Sequence, residues 1–253
     1  MILIHGLWSS GETWEAGEKA LKTEGYHVLG FDSGEGIFTS LTYTPLRDQD
    51  GIRDTALNVV APQIKEGISS AGYPDNRQII IVGHSMGGLI SRVLVDEEAL
   101  DHTVERIITL GTPHQGSIWA NEIIQFAGKK AATLLLQGAL AAVGLGVPSL
   151  LLGVTIDGMI SPWGGSLDDL APTSDFILEL GESTNSVPIW TIAGTQDLIV
   201  SVHSAIALGE RTRLVSLGHT DLTGKFCGIF SDSCTIGQDA IDVVDEWLRL
   251  PEP

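Results

Sequence analysis

Short, continuous apolar runs alternate along the chain with segments whose apolar residues recur every three or four positions. Ile2-Leu3-Ile4, Ile79-Ile80-Ile81-Val82, residues 104–110 and residues 187–194 read as strands buried on both faces, with weaker strands at 26–31 and 214–218. Residues 11–24, 54–70, 86–100 and 236–250 carry helical spacing; in the second, Ala56, Val59, Val60, Ile64 and Ile68 share a face and Pro62 is expected to interrupt it. Strand and helix alternating at this spacing predict an α/β fold, a mostly parallel central sheet with helices on both faces, and a single domain over residues 1–253. In such sheets ligands bind at the carboxyl ends of the strands.

Two of those ends carry chemistry. The run 79–82 leads directly into Gly83-His84-Ser85-Met86-Gly87-Gly88, and a helical segment follows. A strand that turns this sharply into a helix holds the serine in a strained conformation, with Gly83 and Gly87 where a Cβ would strike the neighbouring helix or strand. Ser85 then stands at the sheet edge as a nucleophile, and the Met86 N–H at the helix start points at any oxyanion formed there. The first strand ends in His5-Gly6-Leu7-Trp8, a loop that can present the Leu7 N–H to the same oxyanion. Trp8 beside it is a candidate substrate-binding residue, and His5 is expected to bond the loop backbone.

The pattern breaks at residues 118–172. Within it, residues 131–156 hold no charged side chain, and Leu134-Leu135-Leu136, Leu140, Val143 and Leu150-Leu151-Leu152 make them strongly apolar. A membrane span there is interrupted by Gly138, Gly144, Gly146 and Pro148, and it would pull the later strands away from the sheet, so no transmembrane segment is expected. A buried helical hairpin and an apolar lid over the nucleophile both remain open.

Composition narrows the partners. A formal charge of −18 over 253 residues argues against nucleic acid and anionic membranes. The chain opens on an apolar strand with no basic segment ahead of it, so the expectation is a cytoplasmic protein or one whose leader has been removed. Cys227 and Cys234 are the two cysteines, at a spacing that is no zinc pattern; a short disulfide loop and two free thiols both stay open.

Gly83-His84-Ser85-Met86-Gly87-Gly88, His5-Gly6-Leu7 and Leu110-Gly111-Thr112-Pro113-His114-Gln115-Gly116-Ser117 together resemble the α/β-hydrolase fold and, within it, the bacterial-type triacylglycerol lipases. The resemblance implies a lid inserted after the Gly111–Ser117 run, and it makes His114 a structural or pocket-lining, substrate-binding residue rather than the base. It also implies the chain order serine, acid, histidine. Of the seven histidines, His219 follows both a candidate acid and a strand; His203 comes only six residues after Asp197, at an apparent helix start. Asp197, in a Gly-Thr-x-Asp turn beyond a strand end, is the candidate acid, with turn capping as its alternative role. Lipases of this type often hold calcium near the histidine, where Asp221 falls, but Lys225 puts a cation in the following turn. No metal is assigned and a structural calcium near Asp221 stays open; acyl transfer through a serine needs no cofactor. The expected function is hydrolysis of esters with apolar acyl chains through Ser85, His219 and Asp197, with lipid or ester as partner, including substrate presented at a lipid–water interface. The rivals are a thioesterase, a phospholipase or an acyl-protein deacylase on the same site, and a binding protein on an inactive scaffold.

Overall fold

A computed structural model describes residues 1–7, 11–25, 51–74, 78–120, 164–182, 187–223 and 238–250. Five parallel strands form one sheet in chain order: β1 (Ile2–Ile4), β2 (Ile79–His84), β3 (Val104–Leu110), β4 (Ile189–Gly194) and β5 (Arg211–Val215). The described helices are α1 (Glu15–Thr23), α2 (Gly51–Asp54), α3 (Ala61–Ser70), α4 (Met86–Asp96), α5 (Gly164–Asp169), α6 (Asp175–Glu182), α7 (Val202–Ile206) and α8 (Gln238–Leu248).

Successive side chains of a strand face opposite ways, so an apolar run feeds two cores. Ile2, Ile4, Ile79, Ile81, Ile107 and Ile189 pack on one face with residues of α3, α4, α5 and α6. Leu3, Val82, Ile108, Leu110, Trp190 and Ile192 pack on the other with Leu21 of α1 and with Ala240, Ile241, Val244 and Trp247 of α8. This double-sided burial is why apolar residues stand at consecutive positions in these strands, Ile79–Val82 in β2, Ile107–Ile108 in β3 and Ile189–Trp190 in β4.

Two expectations need correcting, and the end of the insertion can be placed. Pro62 does not interrupt its helix: α2 and α3 join through a π-turn at Thr55–Val60, which ends two residues before the proline. Pro62 has no N–H for the carbonyl four residues back, and the wider turn absorbs that mismatch. The last strand lies at Arg211–Val215, three residues before its expected start, because an edge strand pairs through its backbone and its side chains here are mostly exposed. The end of the 118–172 insertion belongs to the core: Leu167 and Leu170 are buried, and Asp169 Oδ2 accepts the Ile52 N–H at 2.6 Å, capping α2. Ser117 N–H donates to Leu170 O at 2.8 Å, so the insertion leaves and rejoins the body at one place. The expected strand at 26–31, the apolar stretch 131–156, Trp8, Lys225, Cys227 and Cys234 lie outside the described residues. Among the described residues no helix is long and apolar enough to cross a membrane.

Candidate active site

Ser85 joins the end of β2 to the start of α4 at φ 54°, ψ −126°, a backbone conformation that L-residues rarely adopt. Its N–H donates to Leu110 O at 2.9 Å, tying the turn to β3. The glycines around it act as the sequence suggests. A Cβ on Gly83 would lie 2.6 Å from the Gly88 backbone on α4, and one on Gly87 would run into the Ile4 and His5 carbonyl oxygens at the end of β1. Strand and helix can approach this closely only without those side chains.

The hydroxyl so presented meets His219. Nε2 of His219 lies 2.9 Å from Ser85 Oγ, and Nδ1 lies 2.7 Å from Asp197 Oδ2. The Asp197 side chain is 1 % exposed, and its other oxygen, Oδ1, accepts the N–H groups of Ile199 and Val200, each at 2.8 Å. Oδ1 thus takes the turn-capping bonds and Oδ2 the bond to His219. Thr195 N–H to Val215 O (2.8 Å) and Gln196 N–H to Leu217 O (3.1 Å) hold this turn beside the loop that carries His219.

Met86 opens α4, where the first backbone N–H groups have no intrahelical acceptor. The β1 loop lies against the nucleophile: a Cβ on Gly6 would come within 2.7 Å of Ser85 Cβ, and Leu7 is the next residue. The two expected oxyanion donors thus lie on the β1 loop and at the start of α4, which meet at Ser85.

His5, His203 and His114 have other surroundings. His5 Nδ1 is 2.9 Å from Gly6 O, a loop-backbone bond as expected. His203 is exposed on α7, whose N-terminus is capped by Ser201 Oγ accepting the Ser204 N–H at 3.2 Å. His114 is 2 % exposed with Nε2 3.1 Å from Thr109 Oγ1; burial and then the nearby Arg92 push its pKa down to about 3. That environment fits the structural role better than the substrate-binding one. Asp221 Oδ2 accepts the Gly218 N–H at 3.2 Å, and among the described residues no cluster of three potential ligands could hold a metal.

Two residues escaped the sequence reading. His84 packs under His219, with ring centroids 4.8 Å apart and its Nε2 2.9 Å from the His219 carbonyl oxygen. Gly111, at φ 57°, lies against the Asp197–His219 pair: a Cβ there would be 3.2 Å from both Asp197 Oδ2 and His219 Nδ1. The only available signals were the position of His84 inside the elbow and that of Gly111 at a strand end.

Comparison with known proteins agrees with this architecture. A family model described as a PGAP1-like alpha/beta domain matches residues 38–135, a stretch holding the elbow and the Gly111–Ser117 run but neither Asp197 nor His219. A GPI inositol-deacylase of Candida albicans is 48% identical over 44 residues, which are 17% of this chain and 11% of that protein. Among solved structures, the mature Bacillus licheniformis lipase BlEst2 is similar over 98% of this chain and 91% of its own, with TM-score 0.55 and 20% identity. An esterase from Thermogutta terrifontis is similar over 98% and 88%, at TM-score 0.51 and 13% identity. Phospholipase PlaB from Legionella pneumophila is similar over 81% of this chain and 43% of its own, at TM-score 0.51 and 18% identity.

Proposed function

We propose that the α/β-hydrolase fold of this chain carries a serine hydrolase that cleaves carboxylic esters of apolar acyl chains. The observation that carries this reading is the hydrogen-bonded sequence Asp197–His219–Ser85, with Ser85 held at positive φ between β2 and α4.

A serine hydroxyl is a weak nucleophile until a base removes its proton. His219 Nε2 takes that proton as Ser85 Oγ bonds to the ester carbonyl carbon, and the carbonyl electron pair moves onto oxygen. The Leu7 and Met86 amides donate to this oxyanion. When the carbonyl re-forms, the C–O bond to the alcohol breaks and the leaving oxygen takes the proton from Nε2. Water then attacks the acyl-serine, giving its proton to His219; collapse returns that proton to Ser85 and releases the acid. Asp197 keeps Nδ1 protonated and facing away from the serine, and it stabilises the imidazolium formed in each half-reaction.

The acyl preference is drawn from the sequence: residues 131–156, as the lid of the 118–172 insertion, would supply the apolar surface. Labelling with a fluorophosphonate and a chain-length series of p-nitrophenyl esters test the proposal. Wild type should be labelled, Ser85→Ala should not, and turnover should rise from acetyl to medium-chain esters. An unlabelled wild type overturns the proposal.

A second reading is favoured by the PGAP1-like match and the inositol-deacylase segment. The same chemistry would remove an acyl chain from the inositol of a glycolipid. Release of fatty acid from acylated phosphatidylinositol, with little from p-nitrophenyl esters, would favour it over a general esterase.

A further inference from the structure

His84 ends β2 one residue before the nucleophile, and it is 4 % exposed. Its Nε2 is 2.9 Å from the carbonyl oxygen of His219. A carbonyl only accepts, so Nε2 carries the proton and Nδ1 is bare. One side of the ring lies against the His219 ring, centroids 4.8 Å apart and planes 46° from parallel; Trp14 meets it edge-on at 6.4 Å. The titratable groups facing it are His5 from the β1 end and His219, with Asp197 beyond on His219 Nδ1.

His219 needs such an anchor. It sits between Gly218 and the 3₁₀ turn Thr220–Thr223, past the end of β5 and beyond Leu217, whose carbonyl takes the Gln196 N–H. A carbonyl turned into a buried site is costly to leave unsatisfied, so a donor there selects one loop position. That donor belongs to the residue bonded covalently to Ser85 and rides on an interior strand of the sheet.

We infer that His84 is a positioning residue: its Nε2–H holds the main chain of His219 so that the base reaches Ser85 and Asp197 together. The inference rests on the proposed Ser85–His219–Asp197 chemistry. Burial, then the neighbouring His219, pushes the pKa of His84 down to about 3, so His84 stays uncharged beside the imidazolium that forms on His219.

The test compares three variants for fluorophosphonate labelling rate, kcat, KM and thermal melting. His84→Phe keeps a buried ring without the donor. His84→Gln places an amide N–H where Nε2–H was, and His84→Asn places one too short to reach. The phenylalanine and asparagine variants should lose about 10- to 100-fold in both labelling rate and kcat, with KM nearly unchanged, the scale expected when a reacting group is misplaced by around an ångström. The glutamine variant should recover most of that loss. Equal rates for Gln and Asn, or a Phe variant that labels like wild type, overturn the inference; if the Phe variant does not fold, the Gln–Asn pair still decides. A wild type that does not label at all refutes the serine-hydrolase proposal instead, so the two failures are distinct.

Discussion

Replacing Gly111 by alanine should damage stability and chemistry together, by amounts that follow from its surroundings. Gly111 sits just after β3 at φ 57°, its N–H donating to Ile192 O at 2.9 Å, so the ladder fixes its backbone. An L-residue held in this left-handed region is strained by about 1–2 kcal/mol. The new methyl would also lie 2.7 Å from Leu222 Cδ1, and Leu222 is fully buried, with little room to swing aside. Overpacking of that kind costs roughly 1–3 kcal/mol. Together these come to about 2–5 kcal/mol, a large part of the 5–15 kcal/mol by which a domain is usually stable. At this chain length the melting temperature should fall by on the order of 10 °C.

The same methyl would press on the 2.7 Å bond between Asp197 and His219, from 3.2 Å on each side. A shift of even a few tenths of an ångström there should lower kcat by about 10-fold or more, measured well below the melting transition. Calorimetry and p-nitrophenyl ester kinetics on the one variant separate the two effects. A lower melting temperature with unchanged kcat would show that the acid–base pair does not feel Gly111. If both stay at wild-type values, the account of this turn is wrong.

Three further outcomes are expected. His219→Ala should lose nearly all ester hydrolysis, on the order of 10³-fold or more, while His203→Ala should leave kcat/KM within about 2-fold, since surface changes away from a site have small effects; the reverse pattern would reassign the base. His84 and His114, both pushed down to about 3 by burial, bind protons in the unfolded chain but not in the folded one between that value and the ordinary 6.5. Stability should therefore fall as pH drops through that window, by up to ~1.4 kcal/mol per unit for each histidine; urea melts at pH 7, 6 and 5 should show a shallower slope for His114→Gln, and an unchanged slope would refute the assignment. Replacing residues 134–152 by a short polar loop should spare hydrolysis of acetyl esters and weaken any preference for longer chains, whereas loss of the folded state would favour the core-hairpin alternative.

The features legible in the sequence were those whose requirement is local. Gly83 and Gly87 must lack a side chain because of what lies within a few residues of them or on the adjacent strand, and β2, β3 and β4 carry apolar residues at consecutive positions because both faces are covered. The misplaced features depend on partners that periodicity cannot reveal. Among the described strands β5 is at the edge, and its residues Arg211 to Leu214 are exposed, so the apolar signal at Leu214–Leu217 drew the expected strand past its observed position. Asp169 caps a helix 117 residues earlier in the chain, and His84 meets the backbone of a residue 135 positions away. Neither pairing leaves a mark on the local pattern.

The choice among the histidines shows where chain order and physical chemistry meet. Three imidazoles, those of His5, His84 and His219, converge on the elbow, so proximity to Ser85 alone does not select a base. A base must offer a free lone pair to the hydroxyl and accept its proton near neutral pH. His5 turns Nδ1 to Gly6 O, away from the hydroxyl. His84 gives Nε2–H to the His219 carbonyl and, being buried, is protonated only near pH 3. His219 alone has one nitrogen at Ser85 Oγ and the other on a carboxylate that is itself held by two backbone N–H groups. The order rule selected His219 without any of this geometry. It points to the same residue as the geometry because the turn after β4 and the loop after β5 are neighbours at the same edge of the sheet, where a histidine on the second can reach both Asp197 and Ser85 at the end of β2.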